Sequence, residues 1–161
     1  MRQRLGTAAL LVMLLSVTAL FAAENPFVGT WKTNVEKSKY NPGPPPKSST
    51  STIEPYGDNG IKISVENVTA KGEKGTVNYS ASFDGKEYPF AQTGPGAVSG
   101  QTVSLKRIDS HTADRITHLN GKILVTEHWV VSKDGKIRTN TQTGVGPQGQ
   151  AIHNVIVSEK Q

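Results

Sequence analysis

Residues 59–85 read "NGIKISVENVTAKGEKGTVNYSASFDG", and their spacing decides the fold. Ile61, Ile63 and Val65 alternate with Lys62, Ser64 and Glu66. After a break at Gly72 to Gly75 the rhythm returns, with Val77, Tyr79, Ala81 and Phe83 alternating with Asn78, Ser80 and Ser82. A period of two places one set of side chains on each face of a pleated strand. Asn59-Gly60 and Asp84-Gly85 bracket the stretch, and similar pairs recur at Asn120-Gly121 and Asp134-Gly135. Such pairs tolerate the positive φ of tight hairpin turns.

Working outward, the same punctuation divides the chain into about ten strands: 27–34, 49–56, 61–68, 76–83, 86–91, 102–108, 112–119, 122–132, 136–143 and 150–158. No stretch after residue 23 carries the i, i+3, i+4 apolar stripe of a helix. Short links force successive strands to lie antiparallel and adjacent. An open meander of this length leaves two edges to aggregate, and closure removes them. The expectation is an all-β, antiparallel up-and-down meander of about 8–10 strands closed into a barrel. One link is long. Residues 36–50, "EKSKYNPGPPPKSST", contain Pro42, Pro44, Pro45 and Pro46. That segment suits neither helix nor central strand, and an extended arm across one barrel end is expected.

Arg2 and Arg4 precede an apolar run from Ala8 to Ala23. A charged start, a short apolar stretch and small residues at its end read as a signal peptide over 1–23. Residues 24–161 then form a single domain, exported to a periplasmic or extracellular compartment, with no stable membrane insertion after cleavage. The chain has no cysteine, which excludes disulfides and lipid attachment through a cysteine. The formal charge of +5 falls to +3 without the two leading arginines. The basic residues are scattered, so nucleic acid is not an expected partner. Only about 29 per cent of residues 24–161 are apolar. Such an inventory suits a sheet whose inner face is partly polar, or one that encloses a cavity.

Residues 27–32, "FVGTWK", place Gly29 and Trp31 in the first strand. A Gly-x-Trp there resembles the lipocalins and the intracellular fatty-acid-binding proteins of the calycin superfamily. The resemblance implies that Trp31 plugs the closed end of the barrel and that Gly29 lets the strand bend beside it. A large ring can fill the taper of a small barrel, and glycine permits close backbone approach. Taken whole, the chain is similar to the lipocalin-like proteins that bacteria export. It departs from the pattern in three places. The Pro-rich arm stands where the fatty-acid-binding proteins carry two helices. The last strand lacks their Arg-x-Tyr pair, and the lipocalin Thr-Asp-Tyr motif is missing. The resemblance therefore implies a barrel with a cavity and carries over no anion-binding residues.

The hairpin around Asn120-Gly121 allows two registers. A two-residue turn sets Ile116 against Val125, His118 against Ile123 and Asp114 against Glu127. One extra residue sets Arg115 against Glu127 and Asp114 against His128. The second register pairs opposite charges and is favoured toward the strand ends. In both, Glu127 and Trp129 share an inward face, where they could orient a ligand head group. Arg107, Arg115 and Arg138 are further ligand-binding candidates, because a guanidinium in a cavity suits a carboxylate or phosphate. An internal ion pair is the competing reading of these charges.

His111, His118, His128 and His153 lie on separate strands or turns, without the convergence that zinc needs. There is no nucleophile elbow and no phosphate-cradling glycine loop. The expected function is a binding protein, not an enzyme, that holds a small hydrophobic or amphipathic molecule. No catalytic residues, metal or cofactor are expected. The alternatives are a cell-envelope module with a filled barrel and a small enzyme using Glu127, Asp114 or a histidine as acid or base.

Overall fold

The computed structural model describes residues 25–146 and 149–161. The expected signal peptide at 1–23 lies outside the described residues. Ten antiparallel strands follow in chain order: β1 (Gly29–Thr33), β2 (Ser48–Tyr56), β3 (Gly60–Val68), β4 (Lys74–Ser82), β5 (Tyr88–Thr93), β6 (Gln101–Arg107), β7 (Thr112–Leu119), β8 (Lys122–Val131), β9 (Ile137–Val145) and β10 (Ala151–Lys160). Each pairs with its neighbours in sequence, and β1 closes on β10 through Trp31 opposite Lys160, Lys32 opposite Glu159 and Thr33 opposite Ser158. The fold is a meander closed into a barrel, as the alternation and turn chemistry predict.

The alternation sorts side chains as expected. Ile61, Ile63, Tyr79 and Ala81 are buried inside, while Lys62, Ser64, Glu66 and Asn78 are exposed outside. The fifth strand begins two residues later than the sequence suggests, at Tyr88. Asp84 explains the delay. Its carboxylate accepts from the Lys86 amide at 3.0 Å and from the Tyr88 hydroxyl at 3.0 Å, which holds residues 84–87 in a turn.

Both registers of the β7–β8 hairpin occur, in different halves. The tight turn is real: Asn120 and Gly121 have φ of 52° and 73°, and His118 lies opposite Ile123. A bulge between Thr117 and His118 then shifts the pairing by one residue, so that Arg115 opposes Glu127 and Asp114 opposes His128. A one-residue shift turns every later side chain to the other face. Without it Glu127 would face Asp114, and Arg115 would sit opposite Thr126.

The apolar core fills one end of the barrel. Phe27, Trp31, Ile53, Ile61 and Leu105 are essentially inaccessible to solvent. Phe27 packs against Phe83 and Trp129 with ring centroids 6.1 and 6.2 Å apart. The Trp31 indole donates to the Phe27 carbonyl at 2.8 Å, which fixes the turn that enters β1. Gly29 sits at φ 133°, and a Cβ there would lie 2.5 Å from Lys160 Cε. Gly29→Ala is therefore expected to cost about 1–3 kcal/mol, the range for a non-glycine residue forced into such a conformation. Urea unfolding of the variant checks this; an unchanged midpoint would mean that β1 relaxes freely.

The Pro-rich arm runs alongside β10 at the other end. Lys39 exchanges backbone hydrogen bonds with Val155 at 2.7 and 2.9 Å, and the His153 amide donates to the Asn41 carbonyl at 2.7 Å. The five-residue β1 is too short to cover the ten-residue β10, and the arm supplies the missing partner. Tyr40 and Pro46 are thereby placed against the barrel mouth.

Candidate functional site

Above the apolar floor the interior is hollow. A cavity of about 410 Å³ lies between the core and the mouth. That is toward the lower end of the range for small-molecule sites. Its wall is mixed: Ile63, Val65, Val77, Phe90, Val125 and Ile156 supply apolar surface, and Ser51, Asn67, Gln92, Arg138, Asn140, Gln142 and Ser158 supply polar groups. Three of the polar groups come from β9, where Arg138, Asn140 and Gln142 follow at two-residue intervals and so share one face.

Glu127 is the hub of this wall. It is buried, and its carboxylate receives four donors. Arg115 Nη1 and Gln142 Nε2 reach Oε1, the latter at 3.0 Å. Trp129 Nε1 and Asn140 Nδ2 both reach Oε2 at 2.9 Å. Arg115 forms the ion pair from the facing strand and lies 5.2 Å from the ring centroids of both Tyr79 and Phe90. Burial alone would push the Arg115 guanidinium down, but Glu127 beside it carries it above the ordinary arginine value. Burial pushes the Tyr79 hydroxyl up, so it stays protonated.

A hydrogen-bond chain ties this hub to the arm. The Asn41 amide donates to Asn154 Oδ1 at 2.9 Å. Asn154 Nδ2 then donates to Gln142 Oε1 at 3.0 Å, and Gln142 donates on to Glu127. The arm is thus fixed to a side chain that also holds the ion pair.

Arg138 is placed differently. Its guanidinium carbon lies 5.1 Å from the Trp31 ring centroid and 5.6 Å from that of Trp129. Nη2 donates to Ser51 Oγ at 2.8 Å, while Nε is buried without a partner. Among the described residues no acid forms an ion pair with it. Burial pushes its pKa down to about 10, with the Glu127 charge offsetting part of that effect.

Of the residues singled out from sequence, Arg115, Glu127, Trp129 and Arg138 line the cavity. Trp31 and Gly29 are not among the lining residues; Trp31 is buried in the apolar core beneath Arg138, and Gly29 lies two residues before it on β1. Arg107 is not among the lining residues; it stacks over Phe83 at 4.1 Å and over Phe27 at 5.3 Å, within the apolar end. Asp114 and His128 form their pair, 2.7 Å apart, on the outer face. Sequence reasoning missed Ser51, Ser158, Asn140 and Gln142. The polar triplet at 138, 140 and 142 was the available signal.

Compared with known proteins, the chain matches no family model and no curated sequence. Fold and site geometry therefore carry the functional reading.

Proposed function

We propose that this chain is an exported, calycin-like binding protein that holds a small amphipathic molecule inside its barrel. The observation that carries the reading is the cavity of about 410 Å³, lined by apolar and polar side chains together. A barrel serving only as a structural module has no need of unfilled interior volume, since an empty lumen forgoes dispersion contacts. Acid–base catalysis is disfavoured by the hydrogen bonding of Glu127, the one carboxylate in the cavity wall among the described residues. With four donors on its two oxygens, its lone pairs are engaged by the protein and none is left aimed at a substrate. Export rests on the charged and apolar pattern of residues 1–23. The calycin affinity rests on Gly29-Thr30-Trp31 together with the closed meander.

Native mass spectrometry with a fluorescent apolar probe tests occupancy of the cavity. N-phenyl-1-naphthylamine should add one equivalent of mass and accept excitation energy from tryptophan. Both tryptophans lie at or beside the cavity floor, so transfer should be efficient. A protein that stays free of adduct at probe concentrations of tens of micromolar, on the order of ordinary small-ligand affinities, would contradict the reading.

A further inference from the structure

We infer that the cavity floor is a receptor for a monoanionic oxygen head group, a carboxylate or sulfonate, held by Arg138 with the hydroxyls of Ser51, Ser158 and Thr33. This rests on the binding role proposed above and names the chemistry of the ligand.

Four strands bring these groups together. Arg138 on β9 lies directly opposite Ser158 on β10. Ser158 in turn lies opposite Thr33 on β1, with their hydroxyl oxygens 3.4 Å apart. Ser51 on β2 accepts from Arg138 and keeps its own proton to donate. All four side chains line the cavity, and Ser51 and Ser158 are 6 and 2 per cent exposed. A guanidinium flanked by hydroxyl donors is a receptor for oxyanions.

The charge balance points to one negative charge. Among the described residues three charged side chains line the cavity: Arg115, Arg138 and Glu127. Arg115 and Glu127 neutralise each other as an ion pair, and the donors already on Glu127 leave it unavailable to Arg138. One positive charge remains, on a side chain whose guanidinium carbon lies 5.1 and 5.6 Å from two indole ring centroids and whose Nε is unpartnered. A buried cation without a countercharge is costly. A carboxylate or sulfonate would balance it. A phosphate dianion would overshoot, and a cationic head group would be repelled. The apolar wall formed by Val65, Val77, Phe90 and Val125 then receives the rest of the ligand.

Two probes sharing one ring system separate the charge effect from the cavity effect. These are 8-anilinonaphthalene-1-sulfonate and the neutral N-phenyl-1-naphthylamine, titrated by fluorescence. The wild-type chain should favour the sulfonate by about tenfold to a hundredfold, the range for a charge-assisted hydrogen-bonded contact. Arg138→Met should bring that ratio close to one and melt at the same or a higher temperature, since it removes an uncompensated buried cation. Arg138→Lys keeps the charge but not the planar fork, and should retain only part of the preference. Lys122→Gln, on the exposed start of β8, should leave the ratio as it is, which excludes diffuse surface charge. Equal binding of both probes by the wild type, or a preference that survives Arg138→Met, would overturn the head-group assignment while leaving the cavity role intact. Binding of neither probe would overturn both.

Discussion

Glu127→Leu is expected to destabilise the protein by about 3–5 kcal/mol, the cost of removing one partner from a buried ion pair. The reason lies in what stays behind. Arg115 remains in the wall against Tyr79 and Phe90 with no countercharge. The Trp129 indole, Asn140 and Gln142 lose the acceptor on which all three converge. An unpaired buried group is far more costly than a paired one is beneficial. The double variant Arg115→Met/Glu127→Leu should therefore recover the part of the loss that comes from the unpaired Arg115 charge, while Trp129, Asn140 and Gln142 still lack their acceptor. Urea unfolding followed by circular dichroism reads both effects. If the single variant lost less than about 1 kcal/mol, within the range of exposed ion pairs, Glu127 could not be a desolvated hub.

Trp31→Ala should cost a similar amount, about 3–5 kcal/mol, the range for truncating a large buried aromatic. Trp31 is wholly buried, donates to the Phe27 carbonyl and carries the Arg138 guanidinium over one part of its ring system. Lys160 Nζ lies 5.4 Å from the same ring and pairs its strand with β1. Truncation would thus open the floor and loosen barrel closure together. Trp31→Phe keeps a ring and loses the hydrogen bond, for a smaller cost of about 1–2 kcal/mol. Far-ultraviolet circular dichroism is the suitable probe, because the substitution removes one of only two tryptophans. A Trp31→Ala variant as stable as the parent would mean that the floor is closed by other side chains.

How far these features could be read in the sequence depended on the kind of signal. β3 and β4 were legible because apolar and polar residues alternate strictly from Ile61 to Val65 and from Val77 to Ala81. β9 was located by the turn before it alone. Its residues "IRTNTQTGV" have no apolar face, because its inward positions are Arg138, Asn140 and Gln142. An apolar-alternation rule is blind to a strand whose buried side is polar. The β7–β8 hairpin gave two self-consistent registers, and the bulge at Thr117/His118 uses both. Turn chemistry sets the pairing near Asn120, and charge pairing sets it beyond the bulge. Arg107 shows the opposite limit. Its inward position was within reach of strand periodicity, but whether it met the cavity or the aromatic end depends on depth along the barrel. The four-donor arrangement on Glu127 gathers side chains from three strands, β7, β8 and β9, and no local pattern encodes it.

The most direct measurement is a crystal structure of the protein grown with 8-anilinonaphthalene-1-sulfonate. A hollow barrel with a cationic floor predicts electron density for the probe inside the lumen, its sulfonate within hydrogen-bond reach of Arg138 and its rings against Val65, Val77 and Phe90. Density only on the outer surface, with the lumen filled by the protein's own side chains, would contradict it.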